Sequence, residues 1–290
     1  MKKVTSYDVV VHVVLIFCTL LCLLPFLLLI VSSFASESSI MRYGYSFFPK
    51  EWSINAYRYL VGQGGQLIHA YGISLFTTVL GTVMGLSFTV ALAYALAQRD
   101  LPGRNLIMFF VFFTMLFNGG LVPSYIMWTT TFHIKNTIWA LIFPNLLVKA
   151  FFVILARSYF QTNLPLEIQE AARIDGASEL QIFFRIAIPL AKPIISTLLL
   201  FIGLSYWNDW NNGLIFLTDN KLYSIQNVLN EMIKTIQFLQ QNATTTSPVS
   251  LPSNGVRMAI AVVATLPVLI AYPFLQKGFV RGIVMGGVKG

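Results

Sequence analysis

Long apolar runs separated by shorter polar segments make up most of this chain. A run of about 18 residues or more with few charges is a candidate transmembrane helix, because crossing a hydrocarbon core about 30 Å thick takes roughly 20 helical residues. Six runs qualify, at residues 9–32, 70–97, 105–128, 137–156, 193–210 and 257–275. The pattern predicts an all-α fold, a single polytopic membrane domain over residues 1–290 with six transmembrane helices.

The first run has a rival interpretation as a secretory signal peptide. Lys2 and Lys3 precede it, and Ser33-Phe34-Ala35 resembles a cleavage site. The apolar core of a signal peptide is about 7–15 residues long, whereas this run is well beyond that length. We therefore expect an uncleaved transmembrane helix.

Composition agrees with a membrane location. The chain is 56% hydrophobic and only 10% charged, with a mean hydropathy of +0.72, whereas soluble domains are about 25% charged. The net charge of +8 comes from basic residues dispersed between apolar runs rather than from a dense patch, so no nucleic acid partner is expected. Cys18 and Cys22 both lie in the first run and form neither a disulfide framework nor a metal site.

Lysine and arginine positions predict the orientation, because cytoplasmic loops carry the excess of these residues. With the N-terminus inside, the cytoplasmic segments hold 11 basic residues and the external segments hold 7, while Lys149 lies within the fourth run. Both termini are therefore expected in the cytoplasm. Two external stretches, 34–68 and 211–255, are long, and the polar run 240–254 is either a flexible connector or a contact surface for an external partner.

The cytoplasmic segment 160–192 predicts two short helices around a turn. Pro165 suits the start of the first helix, Glu167 and Glu170 favour its positive end, and Gly176 is placed to end it in a left-handed cap. Small residues on one face, such as Ala171 and Ala172, leave room for another protein's backbone. The alternative is a helix that lies on the membrane surface, which normally requires bulky apolar residues and many lysines.

The same segment carries a recognisable signature. Glu170-Ala-Ala-Arg-Ile-Asp-Gly176, followed by Ile188-Pro189, resembles the E-A-A…G…L-P signature of binding-protein-dependent ABC transporter permeases. Trp207-Asn-Asp-Trp210 and the tail 279–290 are similar to the carbohydrate-importer branch, which contains the second maltose permease subunit. The resemblance runs from about residue 70 to the end, with Ile188 in place of the usual leucine and Gly286-Gly287 in place of a frequent Gly-Ala pair.

The resemblance implies a function and a set of partners. The chain is expected to be the permease subunit of an ATP-driven importer in a bacterial cell membrane, forming the path of an oligosaccharide with a homologous permease. Two ATPase subunits, which would bind ATP and Mg²⁺, and an extracytoplasmic binding protein complete the expected complex. The segment 160–192 would hold the coupling helix, with the residues expected to meet the ATPase being Glu170, Ala171, Ala172, Arg173, Asp175, Gly176 and Pro189.

No motif suggests chemistry in this chain itself. No Gly-Lys dipeptide occurs, so a phosphate-binding loop is absent from the sequence, and the three histidines are far apart. We expect no catalytic residue, no metal site and no cofactor bound by this chain. The rival from another class is an ion-coupled secondary transporter, which needs ionisable residues near mid-membrane. Lys149 is the one candidate, and its position suggests that it reaches towards the cytoplasmic side.

Two further features leave alternatives open. Gly81 and Gly85 form a G-x-x-x-G pair that favours close helix packing, either with a partner subunit or within the chain. The segment of Trp207, Asn208, Asp209 and Trp210 is either an interfacial aromatic anchor or part of the sugar path, since aromatic faces stack on sugars and polar groups bind their hydroxyls.

Overall fold

Helices form nearly all the regular structure of the chain. The computed structural model describes the backbone of residues 6–241 and 253–286. Its α-helices are α1 Ser6–Ser33, α2 Glu37–Tyr43, α3 Asn55–Gly62, α4 Gly64–Ala97, α5 Arg104–Leu116, α6 Leu121–Ile126, α7 Ala150–Asn163, α8 Leu166–Ile174, α9 Glu179–Ile182, α10 Ile188–Leu190, α11 Lys192–Trp207, α12 Asn211–Phe216, α13 Ile225–Gln241 and α14 Ser253–Gly286. Two π-turns, Met127–Thr131 and Phe183–Ala187, and two 3₁₀ turns, Ile138–Leu141 and Asn220–Leu222, complete the set.

This architecture confirms the all-α fold class. Within the described ranges, extended pairing is limited to one isolated antiparallel bridge between Ala35 and Trp52. The stretch 211–255, which was expected to be external, contains α12 and the 17-residue α13, so it is more ordered than its polar ending suggested. Most of that polar ending, residues 242–252, lies outside the described residues.

Among the described residues, three helices are long and apolar enough to cross a membrane, and they match the first, second and sixth predicted spans. They are Tyr7–Ser33, Gly64–Ala97 and Asn254–Pro273. The third predicted span is instead a helix pair, Arg104–Leu116 with Leu121–Thr131, bent by 117°. Gly120, with φ +89°, lies at this break, which explains the bend because an L-residue with a side chain rarely adopts that backbone conformation.

The fourth predicted span, 137–156, differs most from a continuous helix. It consists of a 3₁₀ turn at Ile138–Leu141, an irregular stretch 142–149 and the first half of α7. Pro144 supplies no backbone N–H and Asn145 has φ +59°, and both oppose a regular helix. The apolar composition of this run correctly indicated that it is buried, but it did not indicate that the helix is interrupted at 142–149.

Side chains from α11 and α12 donate hydrogen bonds to backbone carbonyls of the irregular stretch 142–149. The Tyr206 hydroxyl donates to the Ile142 carbonyl at 3.0 Å, and Asn212 Nδ2 donates to the Pro144 carbonyl at 2.9 Å. Both bonds are buried. Non-helical backbone at membrane depth persists only where protein surrounds it or where it lines a water-filled cavity. These two donors therefore allow the break in the fourth span.

The described residues fall into two compact units, the first comprising 6–68 with the described part of 229–267. In this unit Ser36 caps α2, and the Glu37 carboxylate accepts hydrogen bonds from the backbone of Asn254 and Gly255 at the start of α14. A carboxylate stabilises a helix N-terminus through the helix dipole. Hydrogen bonds from Ser38 and Ser36 lower the pKa of the nearby Glu51 carboxyl.

The second unit comprises 69–228 with 268–286 and contains the largest core described here. Its buried apolar residues come from α4, α7, α11 and the turns between them, and they include Val90, Leu96, Ile142, Val153, Phe160, Leu198, Ile202 and Tyr206. The short helices α8 and α9, the segment 207–210 and Lys149 all lie in this unit.

Gly81 and Gly85 both face neighbours within the chain. A Cβ on Gly81 would lie 2.5 Å from the Tyr206 ring, and one on Gly85 would lie 2.9 Å from the Leu147 carbonyl oxygen and 3.3 Å from Ile202. The pair therefore allows α4 to approach α11 and the irregular stretch closely. Intramolecular packing accounts for both glycines.

Replacing Gly81 by valine is expected to lower the thermal stability of the detergent-solubilised protein. The new side chain would collide with the Tyr206 ring, which is buried and held by its bond to Ile142. Overpacking of this kind costs about 1–3 kcal/mol. The matched control is Gly72→Val on the same helix, where no atom lies within 4 Å of the added Cβ. Equal melting temperatures for the two variants would contradict the packing described here.

Candidate functional site

The segment between α7 and α11 contains the predicted pair of short helices. Pro165 precedes α8 with φ −61°, and Glu167 lies in its first turn. Gly176 has φ +82° and ends the helix, with Gly176 N–H donating to the Arg173 carbonyl and Ala177 N–H donating to the Ala172 carbonyl. These two bonds form a Schellman motif, which satisfies the last carbonyls of the helix.

Reciprocal caps and an ion pair hold α9 against α8. Ser178 accepts from the Gln181 backbone N–H, and the Ser178 N–H donates to Gln181 Oε1, which is a capping box. Across the turn, Arg173 Nε donates to Glu179 Oε1 at 2.7 Å, a bond that raises the pKa of the arginine. The two helices are therefore joined by side chains as well as by the chain itself.

Most of the residues of the signature on α8 are exposed. Glu170, Ala171, Asp175 and Gly176 face solvent, whereas Ala172 and Arg173 are half-buried. Ile174 is 87% exposed and Ile168 is 44% exposed, while Gln169 is buried beneath the helix. The exposed surface of α8 therefore carries two apolar side chains among polar ones.

A hydrogen bond joins α7 to α4, and an aromatic contact connects α4 to the segment between α7 and α11. Arg157 Nε donates to the Leu96 carbonyl at the C-terminus of α4, where a positive charge also favours the helix dipole. The Tyr94 ring of α4 lies 5.0 Å from Phe183 and 5.6 Å from Phe160, measured between centroids. The sequence interpretation did not single out these residues. The feature of the sequence that could have indicated them is the position of Tyr94 and Arg157 near the ends of predicted helices, next to the segment 160–192.

A bend leads from the short helices into the fifth span. The π-turn Phe183–Ala187 and the single turn α10 follow α9, and the axis then turns by 81° into α11. Pro189 lies in α10 and is exposed, and Pro193 lies in the first turn of α11. Prolines suit these positions because first-turn N–H groups have no partner within the helix.

The segment from Trp207 to Trp210 does not form one surface. Trp207 is buried and its ring lies 6.2 Å from that of Tyr71, whereas Trp210 is 44% exposed. Asn208 is exposed at the end of α11. Asp209 accepts a hydrogen bond from the Asn212 N–H at 3.4 Å, near the start of α12. Asn208 and Trp210 are thus the members of this segment that remain accessible.

Lys149 is half-buried at the N-terminus of α7, and its Nζ donates to Ser205 Oγ of α11 at 3.0 Å. The expected reach towards the cytoplasmic side is wrong, because the side chain instead contacts the end of α11 that lies away from the short helices. No group of three or more potential metal ligands occurs among the described residues.

Comparison with known proteins places this geometry in a family. The family model of the binding-protein-dependent transport system inner membrane component matches residues 85–285. Protein LplC of Bacillus subtilis is 40% identical over 268 residues, which are 92% of this chain and 90% of that protein. The polygalacturonan/rhamnogalacturonan transport system permease protein YtcP of the same organism is 36% identical over 285 residues, 98% of both chains.

A solved structure is similar over almost the whole chain. It is the crystal structure of a bacterial ABC transporter involved in the import of the acidic polysaccharide alginate, with a TM-score of 0.76 and 28% sequence identity. The match covers 96% of this chain and 98% of the other. The short helices and the bend lie within the matched region, and the chain belongs to the family of binding-protein-dependent transport system inner membrane components.

Proposed function

We propose that this chain forms the translocation path for an oligosaccharide together with a homologous permease, and that α8 couples this path to two ATPase subunits. The observation that carries the proposal is the exposed pair α8 and α9 around Gly176, held by its own caps. Family membership supports ATP-driven import over the ion-coupled alternative. An extracytoplasmic binding protein would deliver the sugar.

The energy source lies outside this chain in the proposed complex. ATP and Mg²⁺ would bind the ATPase subunits, and the permease would carry no catalytic residue. The exposed residues Ile168, Ala171 and Ile174 would enter a cleft on the ATPase, where burial of the isoleucines favours binding. Closure of the ATPase dimer would then displace α8.

The geometry supports a route for that displacement. The Arg173–Glu179 ion pair makes α8 and α9 move together, and the Tyr94 ring transfers the movement to α4 through its contact with Phe183. The bend before α11 is a second point of transfer, since π-turns often occur at functional hinges. Both routes end on helices of the same buried core.

A role for the accessible end of α11 in the sugar path is part of the proposal. The Trp210 ring offers a stacking face and Asn208 offers an amide to hydroxyl groups. Trp207 would stabilise this surface by packing against the Tyr71 ring. Asp209 would stabilise it through its hydrogen bond to the start of α12. The relatives named for polygalacturonan and alginate support a saccharide as the substrate.

Substitution of Gly176 by valine should abolish uptake while leaving membrane insertion intact. A left-handed conformation costs a residue other than glycine roughly 1–2 kcal/mol, so the turn would open and α9 would lose its position against α8. Uptake of labelled oligosaccharide and ATPase activity in proteoliposomes would measure the effect. Gly176→Asn should retain more activity, because asparagine tolerates this conformation better.

The matched control is Gly103→Val, since Gly103 also has a positive φ, +70°, and no neighbouring atom within 4 Å of an added Cβ. It lies outside the α8–α9 pair and should reduce uptake far less. Full uptake by Gly176→Val, or equal losses in the two variants, would rule out a coupling role specific to Gly176.

The proposed orientation places both termini in the cytoplasm of a bacterial cell. A reporter enzyme that is active only outside the cytoplasm should be active when fused after Thr244 and silent when fused after Glu179. The physical reason is the excess of Lys and Arg in the segments assigned to the inside. The reverse pattern would place α8 on the wrong face for an ATPase.

The polar run after α13 is proposed to contact the binding protein. Deleting 242–250 leaves α13, which ends at Gln241, intact. The deletion should weaken the stimulation of ATPase activity by the liganded binding protein, without changing basal ATPase activity. A replacement of the same length in Gly and Ser residues is the control for a simple tether. Full stimulation in both variants would show that the run has no docking role.

A further inference from the structure

Lys149 is a charged residue at membrane depth that the coupling function leaves unexplained. Its Nζ donates to Ser205 Oγ at 3.0 Å, and the Ser205 hydroxyl donates in turn to the Phe201 carbonyl at 2.9 Å. A lysine ammonium has three donors, so this contact leaves capacity for another acceptor. No carboxylate of the described residues lies within 4.0 Å of the Lys149 Nζ.

Two helices locate this charge far from the cytoplasmic face. Lys149 precedes the 14 residues of α7, which lead down to the cytoplasmic segment, so it lies about 21 Å from the far end of that helix at about 1.5 Å per residue. Ser205 lies near the opposite end of α11 from Lys192, at a similar distance of about 20 Å by the same rise. A charge at such depth is costly in a membrane and normally marks an ion or substrate pathway.

The surroundings of Lys149 favour an anion. The residue lies at the N-terminus of α7, the positive end of the helix dipole, and no side chain caps that helix. Asp209 is close enough to interact electrostatically with Lys149, but its carboxylate also accepts hydrogen bonds from the backbone at the start of α12. The Asp209 carboxylate is therefore hydrogen-bonded to the backbone of α12 and forms no direct ion pair with Lys149.

The neighbouring aromatic rings suit a sugar. The Lys149 Nζ lies 5.9 Å from the centroid of the Phe152 ring, and the Phe152 and Phe201 rings are stacked at 6.2 Å. Phe201 is 44% exposed, so one ring of this stacked pair is accessible. Ser205 lies one turn further along α11, on the same side of the helix. The ammonium group suits the carboxylate of an acidic pyranose, and the accessible aromatic face suits its ring.

We propose that Lys149 binds the carboxylate of a uronate-containing oligosaccharide during translocation, with Ser205 positioning the ammonium and Phe201 contacting the sugar ring. This inference rests on the proposed function and deepens it by naming the substrate class. The contact is an ammonium–carboxylate hydrogen bond, stronger than a neutral one. A neutral sugar of the same shape would lack it.

The test compares an oligogalacturonide with its fully methyl-esterified counterpart, which has the same chain length but no charge. ATP-driven uptake of each is measured in proteoliposomes that contain the complete importer, with liganded binding protein supplied in excess. In Lys149→Gln, uptake of the acidic form should fall about tenfold, the effect expected from losing a hydrogen bond to a charged group, and uptake of the ester should change less than twofold. Lys149→Arg should restore most of the acidic uptake.

Lys135→Gln is the matched control, because it removes the same charge from a loop where Lys135 lies 5.9 Å from the Tyr125 ring. It should affect neither substrate. The binding protein is identical in every arm, so a change in the ratio of the two uptake rates between Lys149→Gln and the wild type belongs to the permease.

Each other outcome contradicts the inference. Equal losses for acid and ester would make Lys149 structural, and unchanged acidic uptake would exclude it from the path. Loss of the partner permease on co-purification of Lys149→Gln would show that the lysine pairs with that subunit instead. A wild type that transports the ester but not the acid would exclude the substrate class. Absence of any ATP-driven uptake by the wild-type complex would instead defeat the proposed function.

Discussion

Hydrocarbon offers no hydrogen-bond partner to a peptide backbone, and the arrangement of the second unit follows from that constraint. The fourth apolar run is not a continuous helix, so its carbonyls need donors from elsewhere in the chain. Tyr206 and Asn212 supply them to Ile142 and Pro144. Placing Tyr206 there requires α4 and α11 to approach closely, which the absence of a side chain at Gly81 permits.

The break in the fourth run also determines where charge can lie. Because the regular helix begins only at Ala150, Lys149 lies at a helix N-terminus instead of inside a continuous span. Its side chain is then held by Ser205 of α11, far along that helix from the segment that contains α8 and α9. The same irregular backbone that needs donors from α11 and α12 thus brings a cation, a carboxylate and two stacked rings into one region.

In the segment that contains α8 and α9, the local interactions are largely independent of this core. The Schellman motif at Gly176, the capping box at Ser178 and the ion pair between Arg173 and Glu179 are all made within a few residues. A segment that is ordered by its own caps can present Ile168 and Ile174 to solvent without support from a partner. The Tyr94 ring of α4 links this segment to the membrane helices through Phe183, and Arg157 of α7 caps the C-terminus of α4.

The sequence alone determined the all-α membrane class, three of the long spans and the helix–glycine–helix form of the segment 160–192. Each of these depends on local signals, namely apolar run length, the glycine that permits a positive φ, and the polar residues at helix caps. Tertiary structure alone decided the break in the fourth run and the direction of Lys149, because hydropathy measures whether a residue is buried but not which carbonyl or hydroxyl it meets. Tertiary structure also decided that Trp207 is buried and Trp210 is exposed, although the two are only three positions apart in the chain. The helix ends between them, so one ring packs inwards against Tyr71 and the other remains exposed.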